Sequence, residues 1–287
     1  MSTILSPTTL AEALELLQRG EEMQPLAGGT DLLVHLRRTE QAAAPTLLSL
    51  ERIPELRGID LGDGYVSIGA ATRFSEIGAS PLLLEQASIL AAAARTVGGP
   101  AIRNMATLGG NLCIASPAGD SLPPLYALGA EIELASLRGR RRLPLPEFVL
   151  APGRTCLARD ELLTRILLPR RPGFSRQGFE KIGHRQSLAI AVVSFAGLLR
   201  FDAEERVVAS HFAWGAVGPT IVTLPALESL LRGEKLSPSL VRQAVALVRN
   251  SVQPISDLRA GAEYRRMLAG NLLQRFLLQC PAPAVHD

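Results

Sequence analysis

The sequence predicts an α+β chain of two parts, and three observations carry that expectation. Strand-like and helix-like segments alternate through the first part. Three segments with strand character follow at 177–182, 188–201 and 206–216, and three helical segments close the chain. Between the two runs, Pro169-Arg170-Arg171-Pro172-Gly173 interrupts every period. A chain of 287 residues also exceeds the usual single domain. Strands followed by helices read as a separate α+β domain. The expected division is therefore 1–172 and 175–280, with the first part split again near residue 57.

In order, Thr9 to Glu12 reads as a capping box and Gly20 as a stop, giving a helix over 10–19. A strand at 24–27 runs into Gly28-Gly29, and a helix starts at Thr30 or Asp31. Thr46 to Leu50 completes a small βαβ-like unit. Tyr65 to Ala70 alternates as a strand. Ser80-Pro81 opens an Ala-rich helix through about Ala94. Residues 98–120 are glycine-rich and irregular. Strands resume at 130–136, 140–144 and 161–168, and the arginine run Arg138 to Arg142 reads as a hairpin tip. In the second part, Asp202 to Glu205 is a turn between long antiparallel strands. Helices are expected near 225–232, 238–252 and 260–278.

Composition excludes several classes. The chain is 47% apolar with mean hydropathy +0.20, enough for a large core. No apolar run reaches the roughly 18 residues of a membrane span. Met1 to Pro7 lacks the basic-then-apolar order of a secretory signal, so a cytoplasmic protein is expected. Net charge is +3 with 4% aromatic residues and scattered arginines, which offers nucleic acid no basic stripe with stacking platforms. Cys113, Cys156 and Cys280 form no CxxC pair, so no iron–sulfur cluster or zinc ribbon is expected on this chain. His35, His184, His211 and His286 have no neighbours at metal-ligand or triad spacing.

Two segments share one physical character. The first is Pro25-Leu26-Ala27-Gly28-Gly29-Thr30-Asp31-Leu32-Leu33 and the second is Thr107-Leu108-Gly109-Gly110-Asn111-Leu112-Cys113, followed by Ser116-Pro117 and Asp120. Paired glycines let a ligand lie against the backbone, and exposed N–H groups favour an anion. Either alone reads as a tight turn; two together suit a diphosphate held from two sides. Neither a GxGxxG fingerprint nor a phosphate-loop motif occurs.

With Ile68-Gly69-Ala70, Phe179-Glu180-Lys181-Ile182-Gly183, Pro254 to Asp257 and Tyr264-Arg265-Arg266, these loops resemble the medium, flavin-binding subunit of the xanthine dehydrogenase and carbon monoxide dehydrogenase family. The resemblance covers essentially the whole chain. It implies a PCMH-type (vanillyl-alcohol-oxidase-like) FAD-binding region of two α/β subdomains. It also implies a C-terminal domain with a three-stranded antiparallel sheet and helices. Carried over residue by residue, Leu26, Ala27, Gly28, Gly29, Thr30, Asp31 and Leu32, with Thr107, Leu108, Gly109, Gly110 and Asn111, would contact FAD. Ser116 falls in the same segment. Asp120 matches an acid that hydrogen-bonds the cofactor, Leu163 an apolar contact, and Lys181 a cation near the flavin. Read without the resemblance, Asp120 is a turn former, Leu163 a core residue and Lys181 a surface lysine.

The resemblance further implies noncovalent FAD and no catalytic side chain. Electrons would come from two [2Fe-2S] clusters on a small subunit, with molybdopterin on a large subunit, in a dimer of heterotrimers. NAD+, dioxygen or another acceptor would take them. The Cys-rich insertion that follows the second glycine loop in relatives reducing hydroxybenzoyl-CoA is missing. Thr30-Asp31 replaces the His-Ser usual in carbon monoxide dehydrogenases. Two rivals are a stand-alone flavoenzyme of the same fold, with its own substrate site, and a scaffold that has lost FAD.

Overall fold

The computed structural model describes residues 3–19, 23–38, 45–170, 173–185 and 188–278. Gly20, Arg171-Pro172 and Cys280 lie outside the described residues. Three main sheets divide the chain. The first comprises β1 (Ile4–Leu5), β2 (Met23–Leu26) and β3 (Thr46–Ser49), with β3 between the other two and both pairings parallel. Helix α1 (Leu10–Gln18) starts at Thr9, whose hydroxyl accepts the Glu12 N–H at 3.2 Å. The Glu12 carboxylate accepts from Thr8 rather than Thr9, one residue away from the expected capping box. Leu10, Ala13, Leu14 and Leu17 pack into a core with Leu48, Ile53 and Leu56. By contrast α2 (Leu32–Arg38), which leads from β2 towards β3, buries no residue.

The second sheet is antiparallel throughout. It contains β4 (Ile59–Leu61), β5 (Tyr65–Gly69), β6 (Glu131–Ser136), β7 (Gly139–Pro144) and β10 (Leu162–Pro169), in the order β4-β5-β10-β6-β7. A small hairpin, β8 (Val149–Ala151) and β9 (Arg154–Thr155), stands apart from it. Because β10 is central, both its faces are covered: Ile166 and Leu168 join Val66, Ile68, Ile132 and Leu134, while Leu162 joins the first core. Arg140 to Arg142 sit within β7, so the arginine run forms an edge strand, with the turn at Leu137-Arg138. Arg140 and Arg142 bracket the buried Glu133 at 2.9 and 3.2 Å. Burial pushes the Glu133 carboxyl up, but hydrogen bonds from Thr164, Arg140 and Arg142 outweigh it and hold the group below the usual carboxylate range.

Between β5 and β6 run six helices: α3 (Phe74–Ala79), α4 (Pro81–Gln86), α5 (Ser88–Thr96), α6 (Pro100–Arg103), α7 (Leu108–Ile114) and α8 (Leu122–Leu128). The single Ala-rich helix expected over 81–94 is two, because Ala87 leaves helical geometry at φ −148° and ψ 51°. The stretch expected to be irregular holds α6 and α7. A short helix, α9 (Leu145–Phe148), caps the sheet beyond β7.

The third sheet carries β11 (Arg176–Ile182), β12 (Val193–Phe201), β13 (Val207–Gly215) and β14 (Val222–Thr223), antiparallel in that order. The expected three strands thus gain a two-residue fourth. Strand β12 begins at Val193, not at residue 188, because Leu188 adopts φ +56° in the connection before it. Helices α10 (Pro225–Leu231), α11 (Pro238–Ser251) and α12 (Ala262–Leu278) pack on this sheet around Trp214, Phe195, Phe212 and Phe276. The Pro254–Asp257 and Tyr264–Arg266 motifs form a clamp. Buried Arg265 donates to Asp257 at 2.6 Å and to the carbonyls of Val192 and Ala216 at 2.8 and 3.2 Å. Burial raises the Asp257 carboxyl, but bonds from Arg259, Ala260 and Arg265 more than offset this and hold it well below its ordinary value. Helices α5 and α8 connect the parts, packing on β11 and on β12 and β13 respectively.

Candidate cofactor site

The two glycine loops meet. A Cβ on Gly28 would lie 1.9 Å from the Met105 carbonyl oxygen and 2.9 Å from the Ala106 Cα, so only glycine permits this approach. The segment that Gly28 touches leads directly into Thr107. Beside the joint a cleft is lined by Ala27, Gly28, Met105 and Thr107, with Arg57 and Arg73 on its wall.

The first loop is open. Gly29 turns the chain at φ +69°, and residues 28–32 donate none of their N–H groups to another described residue. Thr30 and Asp31 form the turn before α2, with the Asp31 carbonyl accepting from His35 at 2.9 Å. Leu26 ends β2, Leu32 begins α2, and both are half-buried.

The second loop is locked. Its N–H groups are committed internally: Leu108 to the Thr72 carbonyl (3.0 Å), Gly109 to Ala70 (2.8 Å), Gly110 to the Thr107 hydroxyl (3.2 Å) and Asn111 to the Thr107 carbonyl (3.1 Å). A Cβ on Gly109 would stand 2.6 Å from the Ala70 Cβ, which is why the backbone needs glycine there. Among the described residues the uncommitted N–H groups are therefore those of the first loop, while those of the second are held inside the protein. Asn111 accepts a 2.7 Å bond from Ser121 through Oδ1. That bond fixes the amide so that its remaining group is a donor.

Ser116 begins the turn that places Asp120: its carbonyl accepts from Gly119 at 2.9 Å and its hydroxyl from Ala118 at 3.3 Å. The C-terminal part secures this turn, since Ala216 donates to the Pro117 carbonyl at 2.8 Å. Asp120 and Lys181 form an ion pair across the two parts, with side chains only 7% and 10% exposed. Lys181 also donates to the Thr96 carbonyl at 3.1 Å, and the Thr96 hydroxyl lies 3.4 Å from Asp120 Oδ2. Oδ1 of Asp120 is buried with no partner among the described residues. Burial pushes the Asp120 carboxyl up overall, opposed by the charge and hydrogen bond of Lys181 and by Thr96.

Leu163 is buried in β10 opposite Leu134, on the strand against which α7 packs. Burial raises the Cys113 thiol to about 12, so it stays protonated and serves packing. Among the described residues no cluster of three or more His, Cys, Asp or Glu is placed to hold a metal. Sequence reasoning missed Thr96, Met105 and Ser121. The Gly98-Gly99 pair just after Thr96 was the available signal that this segment approaches something closely.

An orphaned buried carboxylate oxygen, unclaimed loop N–H groups and a glycine joint without room for Cβ atoms fit a ligand carrying both phosphate and hydroxyl groups. Residues 1–171 match the family described as the FAD binding domain in molybdopterin dehydrogenase. The chain belongs to that family. Residues 179–280 match the CO dehydrogenase flavoprotein C-terminal domain. The chain is 31% identical to the nicotine 6-hydroxylase medium subunit of Paenarthrobacter nicotinovorans, covering 96% of each chain. It is 30% identical to the xanthine dehydrogenase FAD-binding subunit of Escherichia coli O157:H7, covering 96% of this chain and 94% of that one. Among solved structures, carbon monoxide dehydrogenase from Hydrogenophaga pseudoflava superposes with a TM-score of 0.90 at 29% identity over 96% of each chain. This FAD-binding subunit is thus part of an oxidoreductase of the molybdenum hydroxylase type. None of its described helices is long and apolar enough to cross a membrane.

Proposed function

We propose that this FAD-binding subunit carries electrons between a partner's redox centres and an external acceptor. In this reading a large subunit holds molybdopterin and a small subunit holds two [2Fe-2S] clusters, assembled as a dimer of heterotrimers. NAD+, dioxygen or another acceptor receives the electrons. Noncovalent FAD, when bound, supplies a centre that exchanges electrons singly or in pairs. The chain's own residues bind and orient it. The N–H groups of residues 28–32 hold the diphosphate, the rigid segment Thr107 to Asn111 with Ser116 forms the opposite wall, and Asp120 accepts from a cofactor hydroxyl. Leu163 supports the floor beneath α7, and Lys181 stands behind Asp120.

The observation that carries this reading is the meeting of the first glycine loop with Met105, at the entry to the second, together with a buried acceptor, Asp120 Oδ1, that has no partner among the described residues. The medium-subunit and FAD-subunit names of the relatives support the assembly. The test is an absorbance spectrum of the chain purified alone, followed by a pull-down from its native host. Flavin bands at about 450 nm without an iron–sulfur shoulder, together with large and small partners, are expected. A colourless protein that takes up no added FAD overturns the proposal. Turnover of a small substrate by the isolated chain would instead favour a stand-alone flavoenzyme.

A further inference from the structure

Among the described residues Lys181 is the one charged group within bonding distance of Asp120, and it comes from the other part of the molecule. The other side chain that acts on that carboxylate, Thr96, is neutral. Thr96 closes α5, and Ser121, next to Asp120 in the chain, donates to Asn111. Lys181 is itself oriented from behind. Its ammonium bonds the Thr96 carbonyl, and the chain just beyond Thr96 is braced by Arg103, which donates to the carbonyls of Val97 and Gly98 at 3.2 and 3.1 Å. The ammonium thus occupies Oδ2 and leaves Oδ1 as the open acceptor.

We propose that Lys181 serves the cofactor site indirectly, as the positioning residue that keeps Asp120 a carboxylate and leaves Oδ1 free to accept from the cofactor. The C-terminal part thereby sets the protonation state of a binding group that belongs to the FAD-binding part. A carboxyl this deeply buried favours its neutral form unless a cation faces it. A neutral acid is the weaker acceptor, because hydrogen bonds to a charged partner are about twice as strong. Removing Lys181 therefore raises the pH below which FAD affinity is lost. The sign follows directly: without the ammonium, Asp120 is protonated at higher pH, so affinity fails earlier as pH falls.

This inference rests on the proposed FAD site, and the test separates the two. The apo form of the full chain is titrated with FAD by fluorescence quenching across pH, alongside Lys181→Met, Lys181→Arg, Asp120→Asn and the Lys181→Met/Asp120→Asn double variant. In Lys181→Met, the pH at which affinity is lost moves up by roughly 1–3 units, the usual effect of a close opposite charge on an Asp. Lys181→Arg restores the native profile. Asp120→Asn gives a flat profile that the added Lys181→Met leaves unchanged. Equal weakening of Lys181→Met at every pH means direct contact with the cofactor and overturns the inference. A native profile in Lys181→Met overturns it too. Should Lys181→Met fail to fold, Asp120→Asn decides alone, since a pH dependence that survives in it sinks the idea. A native chain that takes no FAD removes the proposed function and this inference together.

Discussion

The two glycine loops look alike in sequence and behave in opposite ways. Around Gly28-Gly29, no residue from Met23 to Arg38 is fully buried, and the N–H groups of residues 28–32 are claimed by no other described residue. Around Gly109-Gly110, residues Thr107, Leu108, Gly109 and Leu112 are buried, and four consecutive N–H groups are spent inside the protein. A glycine pair therefore does two different jobs. In the first loop it bends the chain and leaves backbone donors open; in the second it lets one backbone lie against another. The first loop is half-buried or exposed throughout, and the second resembles core.

Substitutions along both loops sharpen this contrast, and calorimetry of the apo protein checks them. Leu112→Ala, in the locked loop, empties a fully buried site and is expected to cost about 2–5 kcal/mol. Gly109→Ala forces a Cβ against Ala70 and is expected to cost about 1–3 kcal/mol, the range of overpacked cores. Thr107→Ala removes the cap of α7 and is expected to cost about 1 kcal/mol. Leu33→Ser, on the exposed face of α2, is expected to change stability by no more than about 0.5 kcal/mol. A large effect at Leu33 with a small one at Leu112 would reverse the comparison. FAD should stabilise the Leu33→Ser protein as it does the native chain, because mass action acts through the folded site.

Much of the fold was legible because its local signals are strong. The Ser80-Pro81 helix start, the Asp202–Glu205 turn and the three closing helices at 225, 238 and 262 all lie close to where sequence places them. The irregularities were not legible. Ala87 breaks a helix in a run of excellent helix formers, and Leu188 takes a left-handed conformation that its side chain disfavours. Both depart from local preference, which only packing against the rest of the molecule can override. Strand β14 is two residues long, too short for any period to mark.

What the sequence determined by itself was the presence of two glycine loops, their order, and the acid and lysine that accompany them. Those features are encoded in residue identity at fixed positions. Tertiary structure decided how they are used. It placed Gly28 on Met105, engaged the donors of the second loop, and brought Lys181 from the third sheet to Asp120, 61 positions earlier in the chain. Backbone satisfaction and ion pairing depend on which distant groups arrive, and that is fixed only when the sheets pack.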